Sequence, residues 1–352
     1  MAYFRKNLAI DLGTTSILVY TRTQGVILNE PAVVAIDSYT DKILAVGKEA
    51  KDMLGRTPGN IMAHHPMKDG VIADYRSTER MLQYFIRKAG GRTLLRPDVI
   101  VCIPSQATQV QKRAVVQAAT AAGAHNTYLI EEPLAAAIGS GVDISDAGGN
   151  LIVDIGGGTT DVALISLGGI VLSKSIRVAG NVCDQAIMDY MRRRHHMVIG
   201  ERTAEDIKIR VGSAAEIEGE ETVEVKGRNL SDGLPTHVYI SSSDVANALK
   251  EPIQKIIDTI HEVLSETPPE LSSDLFDRGI LLTGGGSLIR GLDEKIRTRL
   301  GLPVRYSDNP ETAVVRGTGR ALSWIRKLNP GEEVLADSTR KQIIQRESLR
   351  KR

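Results

Sequence analysis

Asp11-Leu12-Gly13-Thr14-Thr15-Ser16, near the start of the chain, and Asp154-Ile155-Gly156-Gly157-Gly158-Thr159-Thr160, in its middle, decide how the rest is read. Each lies between apolar, β-rich runs, so each reads as strand, tight turn, strand. Residues 7–11, 17–21 and 25–28 surround the first turn; 151–154, 162–166 and 170–175 repeat the pattern around the second. Such a repeat implies an internal duplication, one α/β copy in each of two domains. The length agrees, because 352 residues exceed one compact core. A third glycine motif, Thr283-Gly284-Gly285-Gly286-Ser287, follows a strand at 279–282 and is expected to open a helix over 288–300. Helical periodicity also marks 77–88, 109–123 and 243–265, the last running through Pro252. The polar stretch 182–243 reads as an insertion in the second domain.

Composition narrows the class. A hydrophobic fraction of 42% with 25% charged residues is ordinary for a soluble globular protein. A net charge of +1 provides no global field toward nucleic acid or acidic lipid. Cys102 and Cys183 are the only cysteines and lie far apart, which argues against a disulfide framework or a zinc site and fits a reducing cytosol. No apolar run reaches the roughly 18 residues of a membrane span. Met1 to Asn7 leads straight into a strand without room for a signal peptide, so the expected location is cytoplasmic.

Glycine loops of this type bring backbone N–H groups close to a phosphate. The hydroxyls of Thr14, Thr15, Ser16, Thr159 and Thr160 add uncharged donors. Asp11 and Asp154 open the two loops, and a carboxylate beside a polyphosphate needs a cation between them. The pairing therefore implies Mg²⁺ held through waters. Two such hairpins facing across a cleft would grip phosphates from both sides, while the third loop passes flat against a ribose or base. The chain has no G-x-x-x-x-G-K-[ST] loop, and the third glycine of a dinucleotide fingerprint would fall at Asp161 or Ile289. Both of those nucleotide classes are excluded.

Three loops in this order resemble the phosphate-1, phosphate-2 and adenosine loops of the actin, Hsp70 and sugar-kinase superfamily. Further stretches are Leu28-Asn29-Glu30-Pro31, Leu54-Gly55-Arg56-Thr57-Pro58, Pro66-Met67-Lys68-Asp69-Gly70-Val71-Ile72-Ala73-Asp74, Leu129-Ile130-Glu131-Glu132-Pro133, Gly200-Glu201-Arg202-Thr203-Ala204-Glu205 and Thr267-Pro268-Pro269-Glu270-Leu271. With them the chain, from about residue 7 to 325, is similar to the MreB family of bacterial actins. The resemblance implies an α/β actin-like ATPase fold: duplicated ribonuclease-H-like domains with two smaller inserted subdomains around a nucleotide cleft. Subdomain IA would comprise 1–34, 68–146 and 314–330, IB 35–67, IIA 147–182 and 245–313, and IIB 183–244, with 331–352 a basic C-terminal tail.

It also implies ATP and Mg²⁺ as cofactors and slow ATP hydrolysis coupled to polymerisation. The filament would lie on the inner face of the cell membrane, supporting cell shape and organising wall synthesis. Implied partners are further copies of the chain in protofilaments, membrane lipid and the cell-wall elongation machinery, not nucleic acid. The nucleotide would meet Thr14, Thr15 and Ser16, Gly157, Gly158 and Thr159, and Thr283, Gly284, Gly285 and Gly286. Glu205, Asp206, Ile207 and Lys208 would lie around ribose and base. Glu132 would orient the attacking water and Thr159 would help hold it. Read by itself, the pair Glu131-Glu132 favours a helix N-terminus, whose dipole attracts acids; only the resemblance reverses that for Glu132. Leu94 and Leu95, between Arg92 and Arg96, could fold back on the core; the resemblance has them insert into the bilayer.

Some positions depart from the family pattern. Gly13-Thr14-Thr15-Ser16 stands where G-T-A-N is common, Asp161 where glutamate is usual, and His64-His65 where Ile-Arg is common. Asn181-Val182-Cys183-Asp184 replaces a more acidic run. Adjacent histidines rarely converge on one ion, so no metal is expected at His64-His65, and His195-His196 beside Arg192-Arg193-Arg194 reads as a solvated face. A small-molecule kinase and an Hsp70-like ATPase share the fold. The first would need a sugar pocket with its own carboxylate base, the second a β-rich peptide-binding domain, and neither is evident.

Overall fold

The computed structural model describes residues 6–91, 95–215, 219–325 and 328–334. Leu94 and the chain beyond 334 lie outside the described residues. The first domain opens with β1 (Asn7–Leu12), β2 (Ser16–Thr21) and β3 (Gly25–Pro31). A small sheet with one helix follows: β4 (Val34–Asp37), β5 (Lys42–Val46), α1 (Lys48–Met53) and β6 (Ile61–His64). The chain returns through the hairpin β7 (Met67–Lys68) and β8 (Val71–Ile72) to α2 (Tyr75–Gly90). It continues as β9 (Asp98–Ile103), α3 (Gln109–Ala121), β10 (Thr127–Glu131) and α4 (Glu132–Gly139).

The second domain repeats the opening with β11 (Asn150–Ile155), β12 (Thr160–Ser166) and β13 (Gly169–Ile176). Next come α5 (Gly180–His195), β14 (Met197–Val198), α6 (Glu201–Val211), β15 (Thr222–Asn229) and β16 (Pro235–Ser241). The remaining elements are α7 (Ser242–Glu266), α8 (Pro269–Arg278), β17 (Ile280–Thr283), α9 (Leu292–Leu300), β18 (Val304–Tyr306) and α10 (Ala313–Ala321). Local chemistry sets several boundaries. The Asp74 side chain caps α2 through Ser77 N–H, and capping boxes start α3 (Thr108, Gln111) and α7 (Ser241, Asp244).

The duplication is visible in the sheets, ordered β3-β2-β1-β9-β10 and β13-β12-β11-β17-β18. In both, the central strand pairs antiparallel with the next strand in sequence and parallel with a later one. Both glycine turns therefore emerge at the C-terminal ends of the central strands, where open α/β sheets place ligands.

One expectation is corrected. The helix after the third glycine loop does not begin at 288: a 3-10 turn spans Gly285–Leu288 and α9 starts at Leu292. Gly284 and Gly291, at φ 79° and 71°, bend the chain on either side of that turn, and only glycine takes such angles freely. Side chains of the stretch 183–244 pack into the core of the second domain's main sheet. Cys183, Ile187 and Met191 of α5 and Val223, Val225 and Ile240 of β15–β16 join one apolar cluster with Leu151, Val153 and Leu282 of the main sheet.

A separate cluster joins the two domains. Ala9, Ile100 and Cys102 of the first sheet, and Ile152, Ala163, Ile165 and Leu281 of the second, enclose α4 and α10 between them. The helices cross with backbones touching. A Cβ at Gly139 would run into the Ala313 carbonyl, and one at Gly317 into the Ala135 carbonyl. Gly139→Ala or Gly317→Ala is therefore expected to cost about 3 kcal/mol or more, the upper range of overpacking. Gly59→Ala, with open space around it, should stay within about 0.5 kcal/mol. Urea unfolding of the three variants checks this; equal midpoints would mean the crossing is not tight.

Candidate functional site

The glycine hairpins meet across the space between the domains. A Cβ at Gly158 would strike the Thr14 hydroxyl, and one at Gly157 the Thr15 side chain, so glycine is required for the two loops to approach. A third element joins them. Asp69 and Gly70, both at positive φ (51° and 74°), turn β7 into β8 and place Gly70 N–H 3.0 Å from Thr14 Oγ1. The second hairpin is braced from behind: Asn181 N–H donates to the Gly157 carbonyl at 2.8 Å and Gly180 N–H to Gly156 at 3.1 Å. This sets the N-terminus of α5, with its partial positive charge, beside the loop.

These elements enclose a cavity of about 450 Å³, the size of a small-molecule or cofactor site. Asp11, Glu132 and Asp154 lie on its walls, and Asp161 is close behind. Asp154 and Asp161 are direct cross-strand partners, like charges opposite each other on one face. Burial pushes Asp11 up to about 7, with the Asp154 charge adding to it. Burial likewise carries Asp154 to about 6, held back by the Thr283 hydroxyl, which donates to Oδ1 at 2.5 Å, and raised further by Asp161. Glu132 is driven well above the carboxylate range, first by burial and then by Asp161, Asp11 and Asp154. Asp161 is raised by burial and opposed by Ser105, whose N–H and hydroxyl donate to Oδ1 at 3.1 and 2.9 Å across the cleft.

Four acids this close call for positive charge. Among the described residues no group of three His, Cys, Asp or Glu side chains could hold a bare ion. The carboxylates of Asp11, Glu132 and Asp154 on the cavity wall are hard oxygen donors, the kind that suits a hydrated cation such as Mg²⁺.

Most of the expected residues converge. Thr14, Thr15, Ser16, Gly157, Gly158, Thr159, Glu205, Lys208, Gly284, Gly285 and Gly286 all line the cavity. Three residues do not face the cavity. Ile207 is buried in the second domain's core, Asp206 points to solvent, and Thr283 lies behind Asp154 as its hydrogen-bond donor. On α6, residues 205, 208, 209 and 212 fall on one helical face, which explains the exclusion of 206 and 207. Lys208 Nζ is fixed by Asp184 at 2.8 Å and by the Gly180 carbonyl at 3.1 Å. The sequence does not announce Gly70, Lys51 or the apolar wall of Ile209, Leu288 and Ile289, two of which are open for aliphatic side chains (Ile209 70% and Leu288 49% exposed). Leu95 is 37% exposed on the loop before β9, away from the cavity lining. No helix among the described residues is long and apolar enough to cross a membrane.

A family model described as MreB/Mbl protein matches residues 5–330. The cell shape-determining protein MreB of Escherichia coli (strain K12) is 49% identical over 328 residues, covering 92% of this chain and 94% of that protein. The cell shape-determining protein Mbl of Bacillus subtilis (strain 168) is 46% identical over 326 residues, covering 92% and 98%. Among solved structures, MreB5 of Spiroplasma citri bound to ADP is 38% identical with a TM-score of 0.88, over 92% of this chain and 98% of that one; it has also been solved with AMPPNP. A MamK double helical filament subunit, at 22% identity and a TM-score of 0.78 over 93% and 100%, shares the fold.

The acid cluster has a consequence for stability. Asp11 and Asp154 titrate above the ordinary 3.8, so between about pH 4 and 7 the folded chain holds more protons than the unfolded chain. Stability of the nucleotide-free protein should then fall as pH rises through that window. The melting temperature at pH 5.5 is expected to exceed that at pH 7.5 by about 5 °C, and Asp154→Asn should flatten the difference. A melting temperature that climbs toward pH 7.5 would contradict this account of the acids.

Proposed function

The chain belongs to the MreB/Mbl family, and on that premise we propose that it is an ATP-hydrolysing bacterial actin that polymerises on the inner face of the cell membrane and supports cell shape. The observation that carries the reading is the meeting of two glycine hairpins over one buried acid cluster. Thr14, Thr15 and Ser16 offer hydroxyls from one side and Gly157 to Thr159 offer amides from the other, so a polyphosphate is gripped by both domains. The N-terminus of α5 adds its positive end. Mg²⁺, when bound, supplies the charge that reconciles the phosphates with Asp11 and Asp154, which hold it through its waters. Glu205 and Lys208 reach the ribose, while Ile209, Leu288 and Ile289 offer an apolar wall to the base. The ADP and AMPPNP complexes of the Spiroplasma protein support an adenine nucleotide.

Glu132, the first residue of α4, projects at the cavity between the two hairpins. Its task is to orient the attacking water, with Thr159, since phosphoryl transfer to water depends mainly on positioning and charge. The role of the relatives as cell shape-determining proteins supports the same role here, with copies of this chain assembling into protofilaments and serving the wall-elongation machinery. Attachment to lipid falls to Leu94 and Leu95. Each leucine contributes roughly 1.5–3 kcal/mol on burial; a polymer multiplies the contacts through avidity.

Two measurements test this. Glu132→Ala should bind Mg-ATP within about threefold of the parent while releasing phosphate about 100-fold more slowly; an unchanged release rate would move the role elsewhere. Leu94→Ser with Leu95→Ser should leave ATP binding and filaments intact but abolish their co-sedimentation with anionic liposomes. Full co-sedimentation of the double variant would rule the loop out as the anchor.

A further inference from the structure

The two domains touch in two physically different ways. At the floor of the cleft they share the apolar cluster around α4 and α10. At its mouth α1 of the small sheet faces α6 of the second domain, and there the contact is ionic. Lys51 Nζ lies 2.5 Å from Glu205 Oε2 and Arg202 Nη1 lies 2.9 Å from Asp52 Oδ1; His65 Nε2, 4.0 Å from Glu201 Oε1, adds charge only when protonated. Among the described residues no main-chain hydrogen bond joins 48–65 to 201–211. Their apolar side chains also belong to separate clusters: Ala50, Met53 and Leu54 pack on the small sheet, Ala204 and Ile207 in the second domain.

The pairs are specific to one alignment. A shift of one turn along α6 would set Lys51 against Lys208 and Asp52 against Glu205, opposing like charges. Lys51 and Glu205 both line the cavity and bridge its two walls.

We propose that these pairs form an electrostatic clasp that sets the rate at which nucleotide enters and leaves the cleft, the domains parting about the apolar floor. The clasp rests on the nucleotide reading above. Each pair is partly exposed, so it shifts the opening equilibrium by a factor of only about 1.5 to 5. All act on the same motion, so their factors multiply to about tenfold or more. Salt weakens them, because the screening length falls from about 10 Å at 0.1 M to about 3 Å at 1 M.

The experiment follows release of a fluorescent ADP analogue by stopped flow, at protein concentrations below polymerisation. Asp52 and Arg202 lie off the cavity lining, so they can be altered without touching the ligand. Asp52→Arg and Arg202→Asp should each speed release about three- to tenfold in 50 mM salt. The double exchange should return the rate to within about twofold of the parent, and the acceleration should shrink in 1 M salt. Single variants that release at the parental rate, or a double variant as fast as the singles, would overturn the clasp alone. A parent chain that fails to bind the analogue would overturn the nucleotide reading and the clasp with it.

Discussion

Where α4 crosses α10, backbone meets backbone, and no side chain separates the Gly139 and Gly317 turns from the carbonyls of Ala313 and Ala135. Alanines at 135, 136 and 137 keep the rest of α4 thin, so the two sheets can close on the helix pair from either side. That contact sets how far apart the domains stand, and the cleft inherits its width. The glycine hairpins meet because the helices below them do. Floor and mouth are then held by different forces: burial that salt leaves untouched, and charge pairs that salt weakens.

The acids in the cleft work against the fold. Asp154 and Asp161 would be better placed, for stability alone, as a hydrophobic pair on adjacent strands. Instead burial raises them together, Thr283 and Ser105 hold them with their donors, and Asp161 Oδ2 makes no hydrogen bond of ordinary geometry among the described residues. A cluster of this kind marks a functional site more readily than a structural one.

Much of this could be read from the chain. Strand, aspartate, glycine turn and strand are local signals, and their repetition announces two similar sheets. Asp206 and Ile207 stand in one run with Glu205 and Lys208 in the sequence, but the helical period separates them, since 205, 208, 209 and 212 share a face and 206 and 207 do not. Isolated glycines inside α4 and α10 also carried a hint of close approach. What stayed hidden depends on distant residues: Gly70 against Thr14, Ser105 against Asp161 and Lys51 against Glu205 are brought together only by the tertiary fold. The helix after the third loop was misplaced for a local reason, since two glycines in left-handed conformations interrupt it.

Glu132 occupies the first turn of α4, and the crossing with α10 begins at Ala135 and ends at Gly139. The helix is thus a short lever with its fulcrum near its middle. About five residues of α-helix span roughly 7 Å, so a rotation of about 10° at the fulcrum swings the carboxylate by about 1 Å. A displacement of that size is enough to change a rate about 100-fold where a reacting water must be aligned. In the role proposed for Glu132, a load that turns one domain against the other would then reach the attacking oxygen as a change of aim.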